Sequence, residues 1–408
     1  MRFGERPPTA GLPPRFADLA VRGREDDRLE QAIARTTGAA GALLLSSGSA
    51  CLVVAFEHLK KSSGRRTVII PAYTCPLVVL AAEQAGLKVV ACDMAPGRFD
   101  LDLEHLSRLI GSDTLCVVPT HYGGWLTDVA AVRAVTARRD PAIAIVEDAA
   151  QAFGATWDGR SVGLAGDIGV FSFAAGKGLT LFEGGALIAA SADLMQALRA
   201  TSRSVARPDP RDEALMTIML AGYHLVYNPL GMRVAYGAPT RSALARGDDI
   251  AAARDHFEGP ILVHPVGRWR RAVGLQAMPR LAAHLAAARG GFDRLAAAIS
   301  TLVPACPGLV VHTPLPTARP SATFLMVTLP DTAKTAGIIT RLWRARLGVS
   351  KLFTRAIADY PYLAGQLLAS DTPNARHLAA CTIIVSTAGR WHAQDVETVT
   401  QAIRECGR

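Results

Sequence analysis

Short apolar runs alternate with longer amphipathic stretches between residues 41 and 190 of the chain. The runs occupy residues 42–46, 67–71, 87–92, 114–119, 142–147 and 168–173. They are rich in Val and Ile and are apolar at both odd and even positions, so we expect strands that are buried on both faces. Helix-like segments lie between them, at residues 77–85, 103–110 and 129–137. The alternation predicts an α/β fold in which helices flank a mainly parallel sheet.

Polar side chains follow these runs where the predicted strands end. The polar clusters occupy residues 46–49, 71–75, 120–124, 147–148 and 172–177. The carboxyl ends of parallel strands lie at one edge of a sheet, and α/β proteins bind their ligands there. The sequence therefore predicts a single cleft to which loops from distant parts of the chain contribute.

The pattern weakens after residue 190. Frequent prolines over residues 206–265 predict a connecting region of short elements. An Ala- and Leu-rich run over 275–302 predicts one long helix. Further strands are expected near 309–312, 323–329 and 381–385, with helices near 335–346 and 394–405. We therefore expect a large α/β domain with an N-terminal arm over residues 1–260 and a smaller α+β domain over residues 261–408.

The composition is that of a folded cytoplasmic protein. Half of the 408 residues are hydrophobic and 19% are charged, unlike a disordered chain. The N-terminal segment lacks the apolar core of a signal peptide, and the seven cysteines include no CxxC pair, so we expect reduced thiols and neither disulfides nor a metal. The net charge of +9 favours an anionic ligand. Nucleic acid is not expected, because aromatic residues are scarce and no known DNA-binding motif is present.

One uncharged segment has two interpretations. Residues 215–232 contain no Asp, Glu, Lys or Arg, and the preceding Arg199, Arg203 and Arg207 are spaced to form a basic stripe on a helix. A basic stripe beside an apolar face is typical of a helix that lies on a membrane surface. The segment also contains His, Asn and Pro, so we favour a solvated helix face followed by a segment buried in the core or at a subunit contact.

The most informative stretch lies between residues 146 and 185. Asp148 ends a predicted buried strand within Glu-Asp-Ala-Ala-Gln, and Lys177 lies in a glycine-rich loop that runs on to Glu-Gly-Gly. A buried carboxylate needs a cation or hydrogen-bond donors. Taken alone, this pair is best explained as a structural ion pair.

The wider pattern resembles the DegT/DnrJ/EryC1/StrS family of pyridoxal-phosphate enzymes, the sugar aminotransferases of fold type I. The elements that carry the resemblance appear in family order: Ser-Gly-Ser at 47–49, Pro-Ala-Tyr-Thr at 71–74, His-Tyr-Gly-Gly at 121–124, Glu-Asp-Ala-Ala-Gln at 147–151, Phe-Ser-Phe at 171–173 and Lys-Gly-Leu-Thr-Leu-Phe-Glu-Gly-Gly at 177–185. A weaker likeness continues at residues 275–277 and 373–376. An ordered series of this kind is far more specific than an isolated glycine motif.

The resemblance implies a role in binding pyridoxal phosphate for each matching residue. Lys177 would bond to the cofactor aldehyde and then carry a proton, helped by burial that lowers its pKa. Asp148 would keep the pyridine nitrogen protonated, and Gln151, one helical turn further on, would reach the 3-hydroxyl. Cys75 occupies the position of the group that lies against the ring. The phosphate would be bound by Gly48, Ser49 and Ser172, because N–H groups at the start of a helix attract anions.

Two positions depart from the family pattern. The family usually has an aromatic residue where this chain has Cys75, so stacking would come from His121, from Tyr73 or from a thin apolar contact; Cys75 as a covalent nucleophile is a less favoured hypothesis. His121 is equally well explained as a structural histidine at a strand end. An asparagine that crosses the family's dimer to the phosphate is replaced by Trp269, with Asn228 as an alternative.

The resemblance implies a homodimer that transfers an amino group from an amino acid, with glutamate as the expected donor, to a nucleotide-linked keto sugar. The basic cluster Arg268, Arg270 and Arg271 suits a diphosphate, although a solvated charge run explains it equally well. A sugar dehydratase is an alternative, but that branch typically has histidine where this chain has Lys177. A second alternative is a non-catalytic member that binds a sugar nucleotide or another protein.

Overall fold

The computed structural model describes residues 4–21 and 28–407 of the chain. Its strands are β1 (Gly41–Leu45), β2 (Thr67–Pro71), β3 (Lys88–Cys92), β4 (Thr114–Val117), β5 (Ala144–Asp148), β6 (Thr156–Trp157), β7 (Arg160–Ser161), β8 (Ile168–Ser172), β9 (Gly185–Ala189), β10 (Val310–His312), β11 (Ala318–Arg319), β12 (Phe324–Thr328), β13 (Val349–Ser350), β14 (Leu367–Leu368) and β15 (Thr382–Ser386). Each apolar run predicted between residues 41 and 190 forms a strand, so these predictions are confirmed.

Helices connect the strands. They are α1 (Phe16–Leu19), α2 (Arg28–Thr37), α3 (Gly48–Ser63), α4 (Pro76–Gln84), α5 (Leu103–Leu109), α6 (Val129–Arg139), α7 (Ala192–Val205), α8 (Pro210–Val226), α9 (Pro229–Met232), α10 (Ala238–Ala245), α11 (Asp249–Ala253), α12 (Arg268–Ala277), α13 (Leu281–Ser300), α14 (Thr335–Arg344), α15 (Pro373–Cys381) and α16 (Ala393–Arg404). The helices predicted between the first strands correspond to α4, α5 and α6.

The largest sheet is mainly parallel, as predicted. Its strand order is β1-β9-β8-β5-β4-β2-β3-β14. Strand β9 is antiparallel to both neighbours, and the other pairs from β8 to β14 are parallel. Because β1 and β8 are both antiparallel to β9, they run in the same direction. The carboxyl ends of β1, β8, β5, β4 and β2 therefore lie at one edge of the sheet, where β9 begins.

Side-chain caps explain where several helices begin. Ser47 accepts a hydrogen bond from an N–H group in the first turn of α3, and Asp102, Asp128 and Asp209 do the same for α5, α6 and α8. Each cap of this kind stabilises a helix by about 1 kcal/mol. Helix α3 begins three residues after β1 and is capped after Ser63 by Gly64, whose φ of +74° favours glycine. Its N-terminus therefore lies at the ligand-binding edge of the sheet.

The C-terminal part of the chain forms a second, four-stranded antiparallel sheet in the order β10-β12-β15-β13. Residues of α13, α14 and α16 pack with this sheet in one apolar core, which confirms the strands and helices predicted after residue 309. The same part of the chain also adds β14 to the large sheet. The domain division after residue 260 remains a prediction.

Two predictions about the middle of the chain are wrong in detail. The region 206–265 contains the 17-residue helix α8, because Pro210 occupies its first turn, where a proline is tolerated. The long helix expected over residues 275–302 is two helices, α12 and α13, separated by a 3-10 turn (Met278–Arg280). Pro279 lies within that turn and lacks the N–H group that a continuous helix would use.

The uncharged segment is helical and only partly covered. Within the described residues, none of the helices is apolar enough over a sufficient length to cross a membrane. Arg199 pairs with Glu30 at 3.0 Å, and Arg207 lies beyond the end of α7, so the predicted basic stripe is not one continuous helix face. Leu225 on α8 is 74% exposed. The segment is therefore not buried in the core of the described chain.

Candidate active site

The loop after β1 and the first turn of α3 form a cradle for an anion. The first N–H groups of a helix, here those of Gly48 and Ser49, have no acceptor within the helix. A Cβ atom added to Gly48 would lie 3.0 Å from the Cβ of Ser172, at the end of β8. A Cβ atom at Gly185 would lie 2.5 Å from the carbonyl oxygen of Ser47 and 2.6 Å from the nitrogen of Gly48. The backbone at Gly185 approaches the helix start so closely that it leaves no room for a side chain.

The buried Asp148 and the half-buried Lys177 influence each other's charge. Burial raises the pKa of the Asp148 carboxyl, and Lys177 opposes that shift. Burial lowers the pKa of the Lys177 amine, while Cys75, Asp148 and Glu183 oppose it. Within the described part of the chain, the Asp148 carboxylate accepts one hydrogen bond, from the Ala150 N–H at 3.1 Å, and forms no ion pair within 4.0 Å. The geometry therefore does not support the simple structural ion pair.

Cys75 precedes α4 in the loop that follows β2, at the edge where the other site residues lie. Burial raises the pKa of its thiol to about 12, with smaller effects from Asp148 and Lys177. Only the thiolate is a strong nucleophile, so a thiol of this pKa is unreactive at neutral pH. The hypothesis of a covalent role for Cys75 is therefore disfavoured. All seven cysteines are free thiols.

The two rings suggested as stacking groups have other partners. Tyr73 is fully buried, its ring lies 5.4 Å from that of Phe353, and its hydroxyl lies 3.4 Å from the Phe353 carbonyl oxygen. The Nε2 atom of His121 lies 2.9 Å from a Glu147 carboxylate oxygen, and its Nδ1 accepts from the Thr127 N–H at 3.2 Å. An imidazole nitrogen that accepts from an amide carries no proton, so the proton is on Nε2. The structural interpretation of His121 is the one that the geometry supports.

Gln151 lies in a tight turn, and the helical turn predicted there is wrong. The Ala152 N–H donates to the Ala149 carbonyl oxygen at 2.9 Å, and the chain then enters β6. The Gln151 side-chain oxygen accepts from the Gly123 N–H at 3.3 Å. Its side-chain NH₂ group has no described partner, which leaves two donors to offer to a ligand.

One member of the basic cluster around Trp269, Arg270, is not part of a solvated charge run. Arg270 is fully buried and donates from Nε to a Glu213 carboxylate oxygen at 2.8 Å and from Nη2 to the other oxygen. Its Nη1 donates to the carbonyl oxygens of Leu181 and Glu183. Both lie in the lysine loop, which comprises residues 173–184 between β8 and β9 and carries Lys177. Arg270 is therefore not available to a diphosphate, and both earlier interpretations are wrong for this residue. It joins α12, α8 and the lysine loop.

Asn228 is an unsuitable replacement for the family's asparagine. Its side-chain oxygen accepts from the N–H groups of Leu230 and Gly231 at 3.1 and 3.0 Å, and its side-chain nitrogen donates to the Leu225 carbonyl oxygen at 2.7 Å. The side chain caps α9 in its own chain. Trp269 is half-buried at the start of α12.

Sequence reasoning missed two features of the lysine loop. Burial raises the pKa of Glu183 to about 7, and Lys177 opposes the shift. The Glu-Gly-Gly motif marked this position without giving it a role. The N-terminal arm crosses the same loop: the Thr9 hydroxyl donates to the Gly176 carbonyl oxygen at 2.7 Å, and the Leu12 N–H donates to that of Gly178 at 3.0 Å. No local pattern in the arm indicates these contacts.

A lysine and a carboxylate at the carboxyl edge of a mainly parallel sheet, beside an anion cradle, define the class of fold type I transferases. The solved structure of DesI in the presence of its TDP-sugar product has this fold, with a TM-score of 0.72 over 100% of this chain and 94% of that chain at 21% identity. The model of the DegT/DnrJ/EryC1/StrS aminotransferase family matches residues 17–226, and the chain belongs to this family. The resemblance expected from the motifs is confirmed.

Two curated relatives align with part of the chain. The 3-amino-5-hydroxybenzoate synthase of Amycolatopsis mediterranei is 32% identical over 234 residues, which cover 57% of this chain and 58% of that protein. The GDP-perosamine synthase of Caulobacter vibrioides is 29% identical over 237 residues, which cover 58% of this chain and 61% of that protein. The chain therefore spans less than two thirds of the length of either relative.

Pyridoxal phosphate is the cofactor of this class, and the residues present fit it. The buried Asp148 carboxylate has a single described donor, and a protonated ring nitrogen would add a cationic one. Gly48 and Ser49 begin α3, and Ser172 lies against this helix start, which is of the kind that binds phosphate.

Proposed function

We propose that this protein is an aminotransferase that moves an amino group from an amino acid, with glutamate as the donor, to the ketone of a nucleotide-linked sugar. The observation that carries the proposal is the half-buried Lys177 side chain in the electrostatic environment of the buried Asp148 carboxyl. The names of two proteins similar to this chain, DesI with its TDP-sugar product and GDP-perosamine synthase, refer to nucleotide-linked sugars. They support this class of acceptor.

Each site residue has one task in the proposal. Pyridoxal phosphate supplies the electron sink that lets an amino acid lose its Cα proton. Lys177 would hold the cofactor and, once displaced, carry that proton; burial lowers the pKa of its amine and so raises the fraction that is free base. Asp148 would accept a hydrogen bond from the ring nitrogen, and Gln151 would donate to the 3-hydroxyl. Cys75 would contact the ring as a thin apolar surface.

The lysine favours transamination over the dehydratase alternative. A lysine amine can remove a proton and return it within one pocket, and Lys177 stands where the dehydratase branch typically has histidine.

We also propose a homodimer. Helix α8 presents an apolar surface that includes Leu215 and Leu225, which are 51% and 74% exposed and lie outside the cavity described below. A subunit contact there would remove this apolar area from water.

Visible spectroscopy tests the proposal. We expect purified protein to bind pyridoxal phosphate with a visible band that glutamate bleaches and that a nucleotide-linked keto sugar restores. A protein that binds the cofactor, but whose visible band is not bleached by any proteinogenic amino acid, would contradict the proposal and favour the non-catalytic alternative.

Light scattering of the same sample tests the homodimer. A measured mass of 43.1 kDa, that of one chain, would contradict it.

A further inference from the structure

A cavity of about 570 Å³ opens beside the lysine loop. Its walls come from α8 and the residues that follow it, the N-terminal arm, the lysine loop, and β13 with the residues after it. Residues of α9, α11 and α14 and residues next to these helices also contribute to the walls. The lining is mainly apolar and aromatic and includes Phe182, Tyr223, Tyr227, Tyr236 and Trp343. Small-molecule sites have volumes of about 300–1,000 Å³ and linings of this kind. The cavity therefore has the size and chemistry of a ligand site.

The lysine loop places one aromatic ring in this wall at a conformational cost. Phe182 has a φ of +68°, which is rare for a residue with a side chain. Its carbonyl oxygen accepts from the Ala175 N–H at 2.7 Å, and its ring packs edge-on against Tyr223 at 5.9 Å. Tyr227 continues the wall, with its ring 4.9 Å from that of Tyr223. Strained residues persist where their surroundings hold them in place, and they cluster at active sites and ligand clamps.

Two cationic side chains line the same cavity. The Lys351 amine donates to the Ala379 carbonyl oxygen at 2.5 Å, which is its one described hydrogen bond. A lysine ammonium has three donors, so two remain for a ligand. The Arg254 guanidinium lies 5.4 Å from the centre of the Tyr236 ring and donates to the Ala235 carbonyl oxygen at 2.8 Å. The cavity thus complements an aromatic body that carries an anionic group.

We infer that this cavity binds the aromatic ring of an anionic ligand, so that aromatic keto acids are amino acceptors of this site in addition to keto sugars. The inference rests on the proposed function for its chemistry, since the cavity lies against Ala175 and Gly176, directly before Lys177. The binding part does not depend on the cofactor and is tested without it.

The first test fills the cavity from α8. Gly222 lines the cavity, and a Cβ atom added to it meets no atom within 4 Å, so Gly222→Leu places a larger side chain in open space. Gly337→Leu is the matched control, because Gly337 lies in α14, is exposed and also has no atom within that distance. The probe is 8-anilinonaphthalene-1-sulfonate, an aromatic anion whose fluorescence rises in apolar surroundings. We expect Gly222→Leu to raise its Kd about tenfold and the control to change it less than about twofold.

A second variant tests the charge. Lys351→Met is expected to weaken binding of 8-anilinonaphthalene-1-sulfonate and to leave binding of the uncharged N-phenyl-1-naphthylamine unchanged. Equal affinity of the sulfonate for Gly222→Leu and Gly337→Leu would overturn the inference and assign the probe to the exposed face of α8. An unchanged sulfonate affinity in Lys351→Met would overturn the anionic part.

The reaction supplies an independent test. Phenylpyruvate and pyruvate share the reacting carbonyl and differ by one phenyl ring. With the amine-loaded enzyme we expect the wild type to have the lower KM for phenylpyruvate, and Gly222→Leu to raise that KM while leaving the KM for pyruvate unchanged. A higher KM for phenylpyruvate than for pyruvate in the wild type would overturn the acceptor part. Cavity binding without bleaching by any amino donor would contradict the proposed function and leave the binding site standing.

Discussion

The burial of Arg270 makes a quantitative prediction about the lysine loop. Its guanidinium reaches α8 through both carboxylate oxygens of Glu213, and it reaches the loop through the carbonyl oxygens of Leu181 and Glu183. Arg270→Met keeps an unbranched apolar stem and removes all of these donors. The substitution therefore leaves a carboxylate without its partner and two carbonyl groups without a donor.

The expected cost follows from these contacts. Removing one partner of a buried ion pair costs about 3–5 kcal/mol, because the remaining charge stays desolvated. The Glu213 side chain is 22% exposed, so water solvates part of the released charge and the lower end applies. Each lost hydrogen bond to a carbonyl group adds about 0.5–1 kcal/mol. We expect the unfolding free energy of Arg270→Met to fall by about 4 kcal/mol in total.

Urea unfolding of the apo-protein, followed by circular dichroism, measures this loss. Arg341→Met is the control, because Arg341 pairs with Glu405 at 2.8 Å but both side chains are exposed, and exposed pairs contribute less than about 1 kcal/mol. The double variant Arg270→Met with Glu213→Leu removes both charges and should recover about 2 kcal/mol of the loss. A loss for Arg270→Met as small as that of Arg341→Met would refute the reasoning.

Two further predictions concern the residues around the cofactor. Gly185→Ala should weaken pyridoxal-phosphate binding about tenfold or more, because its Cβ would overlap the backbone of Ser47 and Gly48. Gly111→Ala is the control and should bind the cofactor normally, because a Cβ atom there meets no atom within 4 Å. Equal affinities of the two variants would contradict the assignment of the phosphate to the start of α3. The Glu183 pKa of about 7 exceeds its ordinary 4.5, so the folded apo-protein retains a proton that the unfolded chain has released, and stability falls as pH rises between these values. Glu183→Gln should flatten this part of the urea midpoint against pH, and identical profiles would contradict the assignment.

Much of the fold follows from local sequence pattern, and the exceptions have physical causes. The strands β2, β3, β4, β5 and β8 are predictable because a strand buried on both faces is apolar throughout. The direction of β9 is not, because residues 185–189 are equally apolar whichever way the strand pairs. The prolines of 206–265 predicted short elements, yet Pro210 begins a long helix, since the effect of a proline depends on its position in the turn.

The candidate site divides in the same way. Residues in contiguous motifs, such as Asp148 and Lys177, are recognisable because their chemistry and spacing are local. Arg270 contacts a carboxylate 57 positions away in sequence, and Thr9 contacts Gly176 across 167 positions. Such pairings depend on the tertiary arrangement, and no spacing within the chain indicates them. For the same reason the cavity lined by α8 and β13 was not predicted.

Chemical trapping tests the central claim most directly. Sodium borohydride fixes pyridoxal phosphate to the amine that holds it, and mass spectrometry of the digested protein identifies that residue. We predict the added mass on Lys177. Lys351 is an internal comparison, because burial also lowers the pKa of its amine. A label on Lys351, on another lysine or on no residue would contradict the account.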